Sequence, residues 1–217
     1  MIRTARLMAF FLLALFGSSA MAIEEPSYRV LVEQEDYEIR LYESYMVAET
    51  DVEGDFRSAG GKAFRILAGY IFGDNQAAKK MNMTAPVESR ESDGVKMAMT
   101  VPVSSQRAES GDGMYTYSFV MESKYTPETL PVPNDSRVRI RTIESRTVAV
   151  KRYSGRGTGT HFDKQKAALL SALQDDDIAT VSEPTLARYN GPMTPWFMRR
   201  NEVIVEVDWA EPDEESE

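Results

Sequence analysis

Thioether sulfur is a soft ligand that suits Cu(I), and four of the chain's twelve methionines fall in a doubled pattern that could present it. Lys80-Met-Asn-Met-Thr-Ala-Pro-Val87 recurs sixteen residues later as Lys96-Met-Ala-Met-Thr-Val-Pro-Val103. In each copy alternate positions are apolar, the period of a half-buried strand. Ser92-Asp93-Gly94 lies between the copies and reads as a three-residue hairpin loop. Folding there pairs residues whose numbers sum to 186, so Met99 faces Val87, Ala85 faces Val101 and Met83 faces Val103. That register leaves Met83 and Met99 roughly 13 Å apart at ~3.3 Å per residue. Ligands of one ion must come within about 2.3 Å of it. The pattern therefore predicts methionines that wall a core or line an adaptable pocket. A periplasmic Cu(I) site built from the hairpin is the alternative.

The other candidate metal ligand is the single histidine, His161. It stands beside Thr160, which reads as the cap of a helix. The helix dipole there disfavours an imidazolium and leaves a neutral, exposed ring. Enzymatic signatures are missing from the sequence. There is no cysteine, no Gly-x-Ser-x-Gly elbow and no phosphate loop, and no spacing singles out a pair among the 34 acids. The chain reads as a binding module.

Glycine and alanine supply a second kind of signal. Gly60, Gly61, Ala63, Phe64, Leu67, Ala68 and Gly69 set small residues beside large ones on one helical stretch. A glycine inside a helix costs up to about 1 kcal/mol relative to alanine. Several together mark a close approach, by a flat ligand or by a strand. Lys62, Arg65, Lys79 and Lys80 are nearby cations, and Arg199 and Arg200 lie near the C-terminal end. Arg199 and Arg200 also have structural carboxylates such as Glu202 within reach.

Elements must hold these residues in place. Residues 1–22 stand apart: Arg3 and Arg6 precede the apolar run Leu7 to Phe16 and the small-x-small site Ala20-Met21-Ala22. This is the three-part pattern of a cleaved secretory signal, which predicts a mature chain from Ile23 and a soluble periplasmic protein. Without its two arginines, 23 basic residues face 34 acidic ones, a charge of −11. Such a surface repels nucleic acid and anionic lipid and predicts no stable membrane association. Residues 209–217 read as an acidic disordered tail.

An offset of 101 residues aligns Ile39-Arg40-x-x-Glu43-Ser44-x-x-Val47-Ala48 with Ile140-Arg141-x-x-Glu144-Ser145-x-x-Val148-Ala149, and Gly54 with Gly155. Seven of sixteen positions are identical. Each copy reads as one strand and is followed by a helical stretch. The first carries Phe56, Ala63, Phe64, Leu67, Tyr70 and Ile71 on one face and stops at Gly73; the second carries Phe162, Leu169, Leu170 and Leu173. Strands follow each helix, at Met114–Met121 in the first half and at Thr185–Tyr189 and Val203–Val207 in the second. Strand, helix and strands twice over predict an α+β domain with a curved antiparallel sheet and two helices.

These residues resemble the SOUL family of haem-binding proteins from about Tyr28 to Val207. The resemblance rests on Tyr37-Glu-Ile-Arg-Leu-Tyr42, Tyr70-Ile-Phe-Gly-Asp-Asn75, Met83-Thr-Ala-Pro-Val87 and Tyr189-Asn-Gly-Pro-Met-Thr-Pro-Trp-Phe-Met-Arg-Arg-Asn-Glu-Val203. It implies a domain over 23–208: a distorted eight-stranded antiparallel β-barrel with two helices, in two pseudo-symmetric halves of about 28–121 and 137–207. It also implies non-enzymatic binding of haem or another porphyrin, for carriage or buffering, beside the first helix. The expected contacts are Gly60, Ala63, Phe64, Leu67 and Tyr70, with Arg199 and Arg200 for the carboxylates. Haem-ligating vertebrate members carry a histidine just after Tyr-Glu-Ile-Arg, where this chain has Leu41. Tight iron ligation is therefore not expected, and another flat hydrophobic ligand is the alternative.

Overall fold

A computed structural model describes residues 24–77, 94–108, 113–191 and 193–209. The first half contains strands β1 (Tyr28–Glu33), β2 (Glu38–Tyr42) and β3 (Tyr45–Glu53), helix α1 (Phe56–Ile71), then β4 (Asn75–Gln76), β5 (Val103–Arg107), β6 (Met114–Val120) and β7 (Val132–Pro133). The second contains β8 (Arg139–Ile143), β9 (Arg146–Ser154), α2 (Gly159–Asp175), β10 (Ala179–Thr180), β11 (Thr185–Arg188), a 3₁₀ turn at Trp196–Met198 and β12 (Arg200–Asp208). Nine strands form one antiparallel sheet in the order β1-β2-β9-β12-β11-β5-β6-β3-β8, with β10 added on β12. The count is nine where the resemblance implies eight. Among the described residues, β1 and β8 end the path without pairing to each other. The sheet is nevertheless curled, because Tyr42 of β2 and Arg141 and Ile143 of β8, near opposite ends of the order, line one cavity.

The repeat identified in the sequence pairs with its own other copy. Ile39 of β2 pairs with Ala149 of β9, and Ala48 of β3 pairs with Ile140 of β8. Strand alternation then sorts each element between two faces. On β3, Met46, Ala48 and Val52 join the core beneath α1, together with Ala59, Ala63, Leu67 and Tyr70 of the helix. A second core beneath α2 holds Leu169 and Leu173 with Ile39, Ala149, Val203 and Val205. The opposite, concave face carries Tyr42, Val148 and Val150 beside Ile204, and Val47, Val120 and Ile143. It also holds a buried charge cluster in which Glu202 accepts from Arg40, Arg200 and Tyr189, while Arg40 also donates to Glu38. The Tyr37–Tyr42 and Tyr189–Val203 motifs are thus brought together.

Gly73, with φ of +118°, ends α1 as its sequence position predicts. Its N–H donates to Tyr70 O and that of Asp74 to Gly69 O, the paired closure of a Schellman motif. Asn75, fully buried, donates to Tyr70 O and Val95 O and accepts from Val95 N, so it fastens the next segment to the helix end.

The methionine hairpin needs correction. Its first copy and loop, through Asp93, lie outside the described residues, as do residues 1–23 with the expected signal. In the second copy no strand forms before Val103. The backbone donors of Met97, Ala98 and Val101 go to Ile71 O, the Glu122 carboxylate and Glu24 O instead of a neighbouring strand. Val103 pairs with Phe119 on one side and Arg188 on the other, leaving no edge for the expected pairing with Met83. Met97 is buried in the core beneath α1 and Met99 packs against it.

Candidate functional site

Both helices begin at one cleft. Asp55 caps α1, accepting from Ser58 N at 3.0 Å. At α2 the cap is Thr158, two residues before the expected Thr160; its hydroxyl accepts from His161 N at 3.3 Å. The chain reaches Thr158 through Gly155, whose φ of +116° and contact with the His161 ring leave no room for a Cβ. Asn201 Nδ2 holds the Gly155 carbonyl at 3.0 Å. A third segment, residues 193–199, closes the cleft. Asn190 Oδ1 accepts from Arg200 N at 2.6 Å to pin its base, and Arg199 Nε donates to Thr194 O at 2.8 Å across the loop.

The cleft measures about 950 Å³. Its walls carry Met193, Pro195 and Trp196 as apolar surface and Arg156, Arg188 and Arg199 as cations, with Asp55 the one carboxylate lining it among the described residues. Met193 is 93% and Trp196 52% exposed. The Arg156 guanidinium lies 6.0 Å from the centre of the Trp196 ring. Gly60, Gly61, Gly157 and Gly159 also line the cleft, so much of its wall is backbone. Two helix N-termini and three guanidiniums favour an anion, while the exposed rings and thioether favour an apolar body.

Of the residues expected to touch a ligand, Gly60 and Arg199 meet at this cleft. Ala63, Leu67 and Tyr70 are in the core, and the Tyr70 hydroxyl donates to Pro131 O at 2.7 Å. Phe64 is half-exposed, its ring 5.7 Å from Phe119. The close approach signalled by Gly60 is to a strand, since a Cβ there would meet the Tyr117 hydroxyl at 3.3 Å. Gly61 and Gly69 instead have nothing within 4 Å of a Cβ among the described residues. Arg200 is held by Glu25 and Glu202 and lies 3.7 Å from the Tyr189 ring centre.

His161 is half-buried, edge-on to Tyr153 with 5.0 Å between ring centres. Its Nδ1 lies 3.2 Å from Arg156 O and its Nε2 3.4 Å from Gln165 Nε2. Both ring nitrogens thus lie within hydrogen-bonding distance of a protein partner. Arg156, Arg188, Met193 and Trp196 were not singled out by sequence. Trp196 could have been, as an aromatic beside Pro195 in the last motif, whereas the lone arginines carry no local signal.

The family described as SOUL heme-binding protein matches residues 23–206. Heme-binding protein 2 of Mus musculus is 30% identical over 204 residues, covering 88% of this chain and 93% of its own. Heme-binding protein 1 of Xenopus tropicalis is 28% identical over 170 residues, covering 77% and 81%. Among solved structures, the EcmrR C-terminal domain superposes with a TM-score of 0.56 at 9% identity, covering 84% of this chain and 99% of that one. A structure described as a hydrolase from Listeria innocua superposes at 0.51 with 12% identity, covering 81% and 93%. At such identities these two likenesses concern the fold alone.

Proposed function

The chain belongs to the SOUL heme-binding protein family, and from that premise we propose that it binds haem or a related tetrapyrrole in the cleft between the two helix N-termini. The observation that carries this reading is the joint lining of the cleft by Trp196 and Met193 with Arg156, Arg188 and Arg199. A tetrapyrrole is a flat apolar disc with carboxylates at its edge, and that wall offers both complements. A volume near 950 Å³ falls within the roughly 300–1,000 Å³ of drug-sized ligand sites. Arg156 and Arg199 take the carboxylates as charge-assisted hydrogen bonds, and Gly61, where a Cβ would meet nothing within 4 Å among the described residues, lets the ring lie against backbone. Bound haem would supply an iron centre. Both nitrogens of His161 already have partners, so affinity comes from apolar contact and charge. At about 25 cal/mol per Å², a few hundred Å² of apolar burial supports roughly micromolar binding after the cost of association.

The role is carriage or buffering without catalysis, in the periplasm after cleavage behind Ala22. The repeat makes 28–121 and 137–207 two pseudo-symmetric halves of one domain. Mass spectrometry of exported protein should find Ile23 as the first residue; intact Met1 would remove the export part of the reading.

Trp196 provides the test of place. The chain has two tryptophans, and Trp209 packs against the core beneath α2. Hemin should quench Trp196 emission saturably, and Gly61→Trp and Arg199→Glu should each weaken binding at least tenfold. Unchanged affinity in both variants would put the ligand elsewhere.

A further inference from the structure

A second cavity lies on the concave face, across the sheet from both helices. On β6, Thr116, Ser118 and Val120 line it, while Tyr117 and Phe119 between them belong to the core beneath α1. Its volume is about 60 Å³, room for a few water molecules or a small ion and far too little for a tetrapyrrole.

Its wall carries more basic than acidic side chains. Arg146 lines the cavity, and its Nε is buried with no hydrogen-bond partner among the described residues. Among the described residues its terminal nitrogens make long contacts, 3.3 Å to Tyr45 Oη and 3.5 Å to Glu206 Oε2. The carboxylate on the wall, Glu49, is already engaged by Arg139 at 3.3 Å and Arg141 at 3.2 Å. Gln106 accepts from the Thr185 hydroxyl at 3.0 Å through its carbonyl oxygen, which leaves its amide nitrogen to donate. The charged lining residues Glu49, Arg141 and Arg146 sum to +1 in a strongly acidic chain, and the buried Ser105 Oγ, also without a partner among the described residues, can donate as well. A buried guanidinium N–H without a partner is a costly arrangement to retain, and a planar fork suits an oxyanion.

We infer that this cavity is a binding site for a small oxyanion, a carboxylate or phosphate of a few atoms, centred on Arg146 Nε, with Arg141 and Gln106 as further donors. Its mouth lies at Arg146 and Arg141, which are 30% and 54% exposed. The site is independent of the tetrapyrrole cleft, with which it shares no lining residue.

Thermal melting and calorimetry of the full mature chain with sodium phosphate, sodium acetate and sodium chloride at matched ionic strength test it. Phosphate or acetate should raise Tm saturably where chloride does not, and whichever binds identifies the preferred oxyanion. Arg146→Met should weaken that binding at least tenfold, as should Gln106→Glu, which adds a carboxylate to the wall and keeps Arg146. If Arg146→Met fails to fold, Gln106→Glu decides alone. Stabilisation that follows ionic strength whatever the anion, or survives Gln106→Glu unchanged, would mean that the cavity holds water only.

Discussion

Arg40 and Glu202 stand 162 residues apart in sequence, yet Arg40 Nη1 lies 3.2 Å from Glu202 Oε2 and Nη2 3.4 Å from Oε1. Their side chains are 2% and 0% exposed. Each sits in a motif by which the family is recognised, so these motif positions help hold β2 to β12 across β9. Removing one partner strands the other charge in the interior, which typically costs about 3–5 kcal/mol. Glu202→Ala should lower unfolding stability by about that amount in urea, and Arg40→Met with Glu202→Leu should recover much of it. A loss under about 1 kcal/mol for Glu202→Ala would show that the cluster is solvated.

The two small residues Ala63 and Gly61 should respond oppositely to the same substitution. Ala63 is fully buried beneath the sheet, and overpacking a core costs about 1–3 kcal/mol or more. Gly61 has nothing among the described residues within 4 Å of where its Cβ would be. Ala63→Trp should therefore depress Tm strongly, and Gly61→Trp should leave it near the parent value while blocking the cleft. Equal Tm values would contradict the placement of these helix faces.

Burial holds the phenols of Tyr37, Tyr42 and Tyr153 up at about 12, with the Asp176 carboxylate adding to the effect at Tyr37. The ordinary value is about 10. Folding thus favours the protonated phenol, so this stabilisation is complete below pH 10 and is lost as pH rises through 12. The urea midpoint should fall between pH 10 and 12, and part of the phenolate absorbance should appear only on unfolding. Ten tyrosines ionising together near pH 10 would refute this.

Much of the fold was legible where side-chain periodicity carried it. The 101-residue repeat marked two extended stretches, each read as one strand, which the structure divides into β2 with β3 and β8 with β9, and the helical faces located both helices. Periodicity could not say which strands pair, and the alternation around Met97 and Met99 arises in a segment held by tertiary hydrogen bonds. The Gly155–Thr160 run offers two threonines, and the backbone turn at Gly155 selects Thr158 as the cap. The same limit applied to the site. Gly60, Ala63 and Leu67 mark a close approach without saying what approaches, and here the sheet covers Ala63 and Leu67. Arg156 and Arg188 lie on different elements, and tertiary structure alone places them beside Trp196.

His161 should be dispensable for ligand affinity but matter for the loop. His161→Ala leaves Gly155 and Tyr153 without their packing partner, so a loss of about 1 kcal/mol is expected, with tetrapyrrole affinity changed less than threefold. A sharp low-spin Soret band that disappears in this variant would show iron ligation instead.

The most direct measurement is an optical titration of the purified protein with hemin and, separately, with metal-free protoporphyrin. Recognition by apolar contact and arginine charge predicts that both bind at roughly micromolar concentration and within tenfold of each other, a difference of no more than about 1.4 kcal/mol. Hemin binding more than a hundredfold tighter would place the affinity in an iron bond, and binding of neither would contradict the tetrapyrrole assignment altogether.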